Sequence, residues 1–165
     1  MYSRPIVPMD FAVPLRLDSE GFHFRPLTVD DLVKDYDAIM ASRKTRLKVL
    51  APGNKWPEGL TLTQNLIDLG WHQREFMLRH SFAYTVMNPD ERECLGCCYI
   101  YPSDRQGYDA MAAYWGRGDR QADGLEDRIG DAFRKWLKRD WPFTAVALPG
   151  RDIAWETWTG LAVRE

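Results

Sequence analysis

The chain has 165 residues, 45% of them apolar, with seven each of Trp, Tyr and Phe, enough for one domain to bury an aromatic-rich core without disulfide or metal staples. Its 22 Lys and Arg against 24 Asp and Glu leave a net charge of −2, so nothing global calls for nucleic acid or an anionic membrane. The opening MYSRPIVPMDFAVPL is interrupted at Pro5, Pro8 and Asp10, which argues against a signal peptide or a spanning helix there and makes a reduced, cytoplasmic protein the expectation.

Residues 11–27, FAVPLRLDSEGFHFRPL, read as two short extended pieces around a turn from Asp18 to Gly21. Thr28 and Asp31 have the spacing of a capping box, and Leu32, Val33, Tyr36, Ile39 and Met40 then recur at helical spacing as one apolar stripe. The basic run Arg43, Lys44, Arg46 and Lys48 reads as the solvated end of that helix. After the loop APGNKWPEG, Thr63 is placed to cap a second helix with Leu66, Leu69, Phe76 and Met77 inward, ending near His80. From Ser81 the period becomes two. SFAYTVMN, a turn over Asn88 to Arg92, and ECLGCCYIY make a hairpin.

All three cysteines fall in that returning strand, at spacing that raises the question of zinc or thiol redox chemistry. Strict alternation puts Cys94, Gly96, Cys98 and Ile100 on one face and Leu95, Cys97, Tyr99 and Tyr101 on the other. Cys94 and Cys98 then share a face about 13 Å apart, too far for one ion, and Cys97 points away from Cys98. His23, His72 and His80 have no ligand spacing, so no metal is expected. Gly96 is a candidate for a bulge or a close backbone approach.

Next come a strand over 108–115 (YDAMAAYW), the loop GRGDRQADG, and a helix with Leu125, Ile129, Ala132, Phe133, Trp136 and Leu137 as its stripe. Lys135, Lys138 and Arg139 suit its C-terminal end and Pro142 stops it; FTAVAL, 143–148, is a last strand. Strand, helix and strand form a βαβ crossover whose helix start offers amides to a phosphate.

This order of elements resembles the GNAT superfamily of N-acetyltransferases over about residues 20–148. The resemblance is carried by FRPLT leading to a helix that begins DDL, by the hairpin FAYTVMN to LGCCYIYP, by the strand ending AAYW, and by the loop before the third helix. It implies an α+β fold, a mixed and mostly antiparallel sheet flanked by helices, here lacking the last two strands of the family. It implies acetyl transfer from acetyl-CoA to a small-molecule or peptide amine.

The family's cofactor pattern is Gln or Arg, two residues, Gly, one residue, then Gly or Ala. Gln121 and Gly124 match it, and Glu126 stands at the last position. The resemblance places acetyl-CoA at Trp115, Gly116, Arg117, Arg120, Gln121, Asp123, Gly124 and Leu125. Against that, Asp123 and Glu126 have the spacing of a helix cap, and with Asp127 they make the helix start acidic, so a self-capped loop and a pyrophosphate cradle both fit the residues. Where many members have a carboxylate in the fourth strand the inward residue here is Met111, which leaves Asp109 or Glu93 as base. The final 17 residues hold no Tyr for the thiolate; Tyr114 is the nearby candidate beside Tyr99 and Tyr101. A non-catalytic binding or dimerising descendant is the alternative. Trp155 and Trp158 are expected on one side of a short helix that covers the last strand, within the chain or in a homodimer.

Overall fold

The computed structural model describes residues 4–44, 50, 52, 53 and 55–164. Six strands form one sheet in chain order: β1 (Leu17–Ser19), β2 (Phe22–Pro26), β3 (Phe82–Met87), β4 (Cys94–Pro102), β5 (Ala110–Gly116) and β6 (Val146–Ala147). All neighbours are antiparallel except β5 and β6, which are parallel as a crossover requires. Helices α1 (Leu32–Ser42) and α2 (Leu62–Met77) precede β3, α3 (Leu125–Asp140) makes the crossover, and α4 (Trp155–Gly160) follows β6. The α+β architecture expected from the sequence is therefore present, and among the described residues no strand follows β6.

The sheet separates two apolar clusters. On the α3 side, Phe24, Tyr84, Phe133, Trp136 and Trp141 meet edge to face or tilted, with ring centroids 4.9–6.4 Å apart. Burial of each such ring stabilises by about 2–3 kcal/mol and the aromatic geometry adds to it. The smaller cluster, on the α1 and α2 side, includes Leu27, Ala38, Ile39, Leu69, Ala83 and Trp115.

The capping box of Thr28 and Asp31 is present, where it opens a short 3-10 turn ahead of α1. The cap of α2 is Thr61, boxed with Gln64, rather than Thr63. Both helices are rotated from the expected stripe. Val33, Leu66 and Met77 are exposed, while Asp35, Asn65 and Glu75 are buried. The rotation is explained by polar partners: Asn65 Nδ2 donates to Asp35 Oδ2 at 2.8 Å, and Glu75 holds Arg74 and His80. Arg43 and Lys44 are exposed as expected; Arg46 and Lys48 lie outside the described residues.

The cysteine alternation is overturned. Val86 pairs with Gly96 but Met87 pairs with Cys94, so Leu95 is an extra residue in β4. Gly96, at φ 153°, lies so close to β5 that a Cβ there would stand 2.1 Å from the Trp115 carbonyl oxygen. The bulge reverses the faces before it: Leu95 joins Cys98 and Ile100 on the α3 side, while Cys94 joins Cys97 on the other. All three thiols are free and buried.

The strand expected over 143–148 shortens to two residues. After it the chain turns back on itself. Trp158 is buried edge-on against Tyr108 at 5.4 Å, and the amide of Gln106 donates to the Ala162 carbonyl. The aromatic contact expected of this segment is made within the chain, by Trp158 on Tyr108.

Candidate functional site

β5 and β6 pair only at Ala110 with Val146 and at Met111 with Ala147. Beyond Met111 the strands part, leaving the edge of β5 from Ala112 to Gly116 without β6 beside it. A cavity of about 400 Å³ opens beside this wedge on the α1 and α2 side. Met111, Ala112, Ala113, Pro149 and Trp155 line it from the side of the wedge, and Asp35, Asp68 and His72 line it from the two helices.

Asp35 is the buried carboxylate of this cavity. Its Oδ2 accepts from Asn65 and its Oδ1 from the Cys97 thiol at 3.4 Å. Burial pushes its carboxyl up to about 6, against the pull of those two hydrogen bonds and with help from the charges of Asp31 and Asp68. Such a group is ionised at neutral pH yet basic enough to take a proton. Burial lowers His72 to about 4, so its ring is neutral, and its Nδ1 is buried without a hydrogen-bond partner.

Asp35, Cys94 and Cys97 offer ligand atoms that all lie within 4.8 Å of one another. The spacing argument against a metal therefore fails, since the bulge brings together two thiols that alternation separates. Each of the three is already hydrogen-bonded: Cys97 to Asp35, Cys94 to Thr85 and the Gly96 carbonyl. Burial also raises the Cys97 thiol well above its ordinary range, against the thiolate that a metal needs.

The three catalytic candidates from the sequence occupy separate places. Asp109 Oδ2 accepts from the amides of Thr144 and Ala145 at 2.7 and 2.9 Å, which anchors the approach to β6. Glu93, at the start of β4, pairs with Arg120 at 2.5 Å. Tyr114 lies on the α3 side of the sheet, its hydroxyl accepting from Arg134 at 3.0 Å. None of them lines the cavity.

The cofactor candidates are contiguous but largely occupied with one another. Residues Gly118–Asp123 form a 3-10 turn, and Gly124, left-handed at φ 63°, is the N-cap of α3 with no side-chain cap bond. The expected capping pair of Asp123 and Glu126 is not formed. Asp123 is exposed, and Leu125 is buried in the α3 core. Gln121 turns back to donate to the carbonyls of Gly116 and Arg117 at 3.0 Å each. Arg117 is 6% exposed and is held by Asp37 and Asp119, both at 2.7 Å. Trp115 faces the cavity side, its indole N–H donating to the Tyr99 hydroxyl.

Glu126, where the family pattern has Gly or Ala, is 1% exposed and turned inward. It accepts from the Gly116 amide and from Arg151, which also donates to the Tyr114 carbonyl at 2.9 Å and stacks 3.8 Å from the Tyr114 ring centre. Arg151, from the chain just after β6, thus bridges to β5 where the strands have parted. Sequence reasoning missed Asp35, Asp68, Asn65 and Arg151. A signal existed for Asp35, which falls at helical spacing between Leu32 and Ile39 on the stripe. No local pattern marks Arg151.

No protein-family model matches the chain, and no curated protein does either. Solved structures do match. The chain is similar to a ribosomal-protein-S5-alanine acetyltransferase from Vibrio fischeri, with 14% identity over 75% of this chain and 67% of that one and a TM-score of 0.59. It is similar to the ribosomal L7/L12 α-N-protein acetyltransferase RimL in complex with coenzyme A, with 13% identity over 77% and 67% and a TM-score of 0.57. A candidate GNAT-family acetyltransferase from Bordetella pertussis matches with 17% identity over 76% and 74% and a TM-score of 0.57. At these identities the likeness speaks for the backbone arrangement: the chain has the fold of the GNAT N-acetyltransferases.

Proposed function

We propose that the chain transfers an acetyl group from acetyl-CoA to a primary amine, in the cavity between the wedge and α1–α2, with Asp35 as the base. The observation that carries this reading is the parting of β5 from β6 directly beside a cavity that holds an ionisable, buried carboxylate. The fit of acetyl-CoA to the chain rests on that wedge, where side chains rather than a neighbouring strand meet the edge of β5, and on the helix start at Gly124, whose dipole favours a pyrophosphate. In this reading Gly116, Arg117, Arg120, Gln121, Asp123 and Gly124 flank that path, and the buried Trp115 and Leu125 support it from the two cores. The amine nitrogen attacks the thioester carbonyl carbon, its proton passes to Asp35, and the C–S bond breaks to release a thiolate that is protonated as coenzyme A leaves. Asp109 and Glu93 are engaged elsewhere, and we assign the base to Asp35 instead.

No metal enters this scheme, because the carboxylate already does the work of deprotonation. Elemental analysis is expected to find no stoichiometric zinc in the purified protein; zinc lost on Cys97→Ser would count against the scheme. A cytoplasmic setting suits three buried free thiols. No helix among the described residues is long and apolar enough to cross a membrane.

One observation favours a second reading, a non-catalytic binding module. The Arg151–Glu126 pair bridges the wedge, and Gln121 is bonded to its own loop. The two readings separate in a thiol-release assay with acetyl-CoA and a panel of primary amines. Amine-dependent release of coenzyme A is expected; no release above the rate without amine, at millimolar substrates, would favour the binding module.

A further inference from the structure

The same cavity specifies more than a reaction type. Aromatic rings form much of its wall: Trp56, Trp71, Tyr99, Tyr101 and Trp155, each half-buried and so partly open to what the cavity holds. Tyr99 and Tyr101 stack in parallel, 5.8 Å apart and 10° from coplanar, and the His72 ring lies 5.3 Å from Tyr99. Two carboxylates share the space, Asp35 deep within it and Asp68 exposed at its mouth. No Lys or Arg lines it among the described residues. His72 is kept neutral by burial and does not repel a cation.

The charge of Asp68 raises the carboxyl of Asp35, so the two acids repel each other across the cavity, and indole and phenol faces attract a positive charge through their quadrupoles. We propose that this cavity is a binding site for a small monocationic amine on an aromatic-sized apolar body, its ammonium held by Asp35 and Asp68 against the ring faces. This inference rests on the transfer reading only for the fate of the amine, since a quaternary ammonium of the same shape fits the cage but has no proton to lose. A peptide N-terminus fits less well. Its amide groups would need a run of hydrogen-bond partners, which the ring faces do not supply and for which the wall offers little beside the two acids, Asn65 and His72.

The test uses tryptophan fluorescence of the intact protein, without acetyl-CoA, against three probes: 2-phenylethylamine, its N,N,N-trimethyl analogue and the neutral 2-phenylethanol. Saturable binding of both cations is expected, at least about tenfold tighter than the alcohol, which is the scale of one desolvated cation–π contact with a carboxylate nearby. Asp68→Asn should weaken both cations severalfold and leave the alcohol unchanged, a split that mere unfolding would not give. Alcohol binding as tight as the amines, or no saturation by either cation at millimolar concentration, overturns the proposal. So does tighter binding of a short peptide that begins with a free alanine. Cation binding without coenzyme A release would sink the transfer reading and leave the cage standing. Acetylation of amines that the trimethyl analogue cannot inhibit would do the reverse.

Discussion

The two faces of the sheet are built on opposite terms. The α3 face is filled by interlocking rings such as those of Phe24, Phe133 and Trp136, all fully buried. The α1–α2 face buries Asp35, Asn65, Thr85 and two thiols and encloses a cavity beside them. Burying an ionisable group without a cation costs stability, so the second face is held in place by what the first one supplies. The comparison teaches where substitutions should cost activity and where they should cost the fold.

The largest expected effect is on the polar face. Asp35→Asn keeps the size of the side chain and its bond to Asn65 but removes the base, and kcat/KM should fall about 10²–10⁴-fold. The acid limb of the wild-type pH profile, centred near pH 6, should vanish with it. A variant that keeps both rate and profile would move the base elsewhere.

On the apolar face, Trp136→Ala should lower the stability measured by urea unfolding by about 3–5 kcal/mol, as expected for a fully buried indole. A loss of under about 1 kcal/mol would mean that the ring cluster is not what holds the sheet together.

The faces also differ in their response to pH. The folded carboxyl of Asp35 titrates at about 6 against an ordinary 3.8, so the folded chain binds this proton more tightly than the unfolded one. The favourable contribution is complete below pH 4 and is lost as the pH rises through 6, on the order of 3 kcal/mol in all. Asp35→Asn should therefore be more stable than wild type at pH 7 and flatten that decline, the opposite sign to its effect on rate. Equal slopes in the two proteins would show that Asp35 is not desolvated.

The smallest effect expected is at the bridge between the parted strands. Glu126→Gln keeps an acceptor for the Gly116 amide but removes a negative charge beside the proposed pyrophosphate path, and should tighten acetyl-CoA binding roughly three- to tenfold by calorimetry. Weaker binding would mean that Glu126 orders the wedge rather than obstructing it.

The hairpin, the crossover and α3 were legible in the sequence because their periods are clean. Leu125, Ile129, Phe133, Trp136 and Leu137 define one helix face without a polar interruption. The site was harder to read for physical reasons. One bulge at Gly96 reverses side-chain faces, which moved Cys94 next to Cys97 and away from Cys98. Asp35 was readable as a carboxylate on an apolar stripe, but its meaning depends on Asn65, 30 positions away. Arg151 reaches Glu126 and Tyr114 across 25 and 37 positions, a pairing that exists only once β6 has formed. The Glu at position 126 was visible as a departure from the cofactor pattern, though its inward turn was not.

Acetyl transfer by this chain requires above all that the wedge accept acetyl-CoA. A calorimetric titration of acetyl-CoA into the wild-type protein tests this directly. Saturable one-to-one binding, competed by coenzyme A and weakened when a bulky side chain replaces Ala113 on the cavity side of β5, is the predicted result. No heat of binding at millimolar ligand, for the wild type and for Glu126→Gln alike, would contradict it.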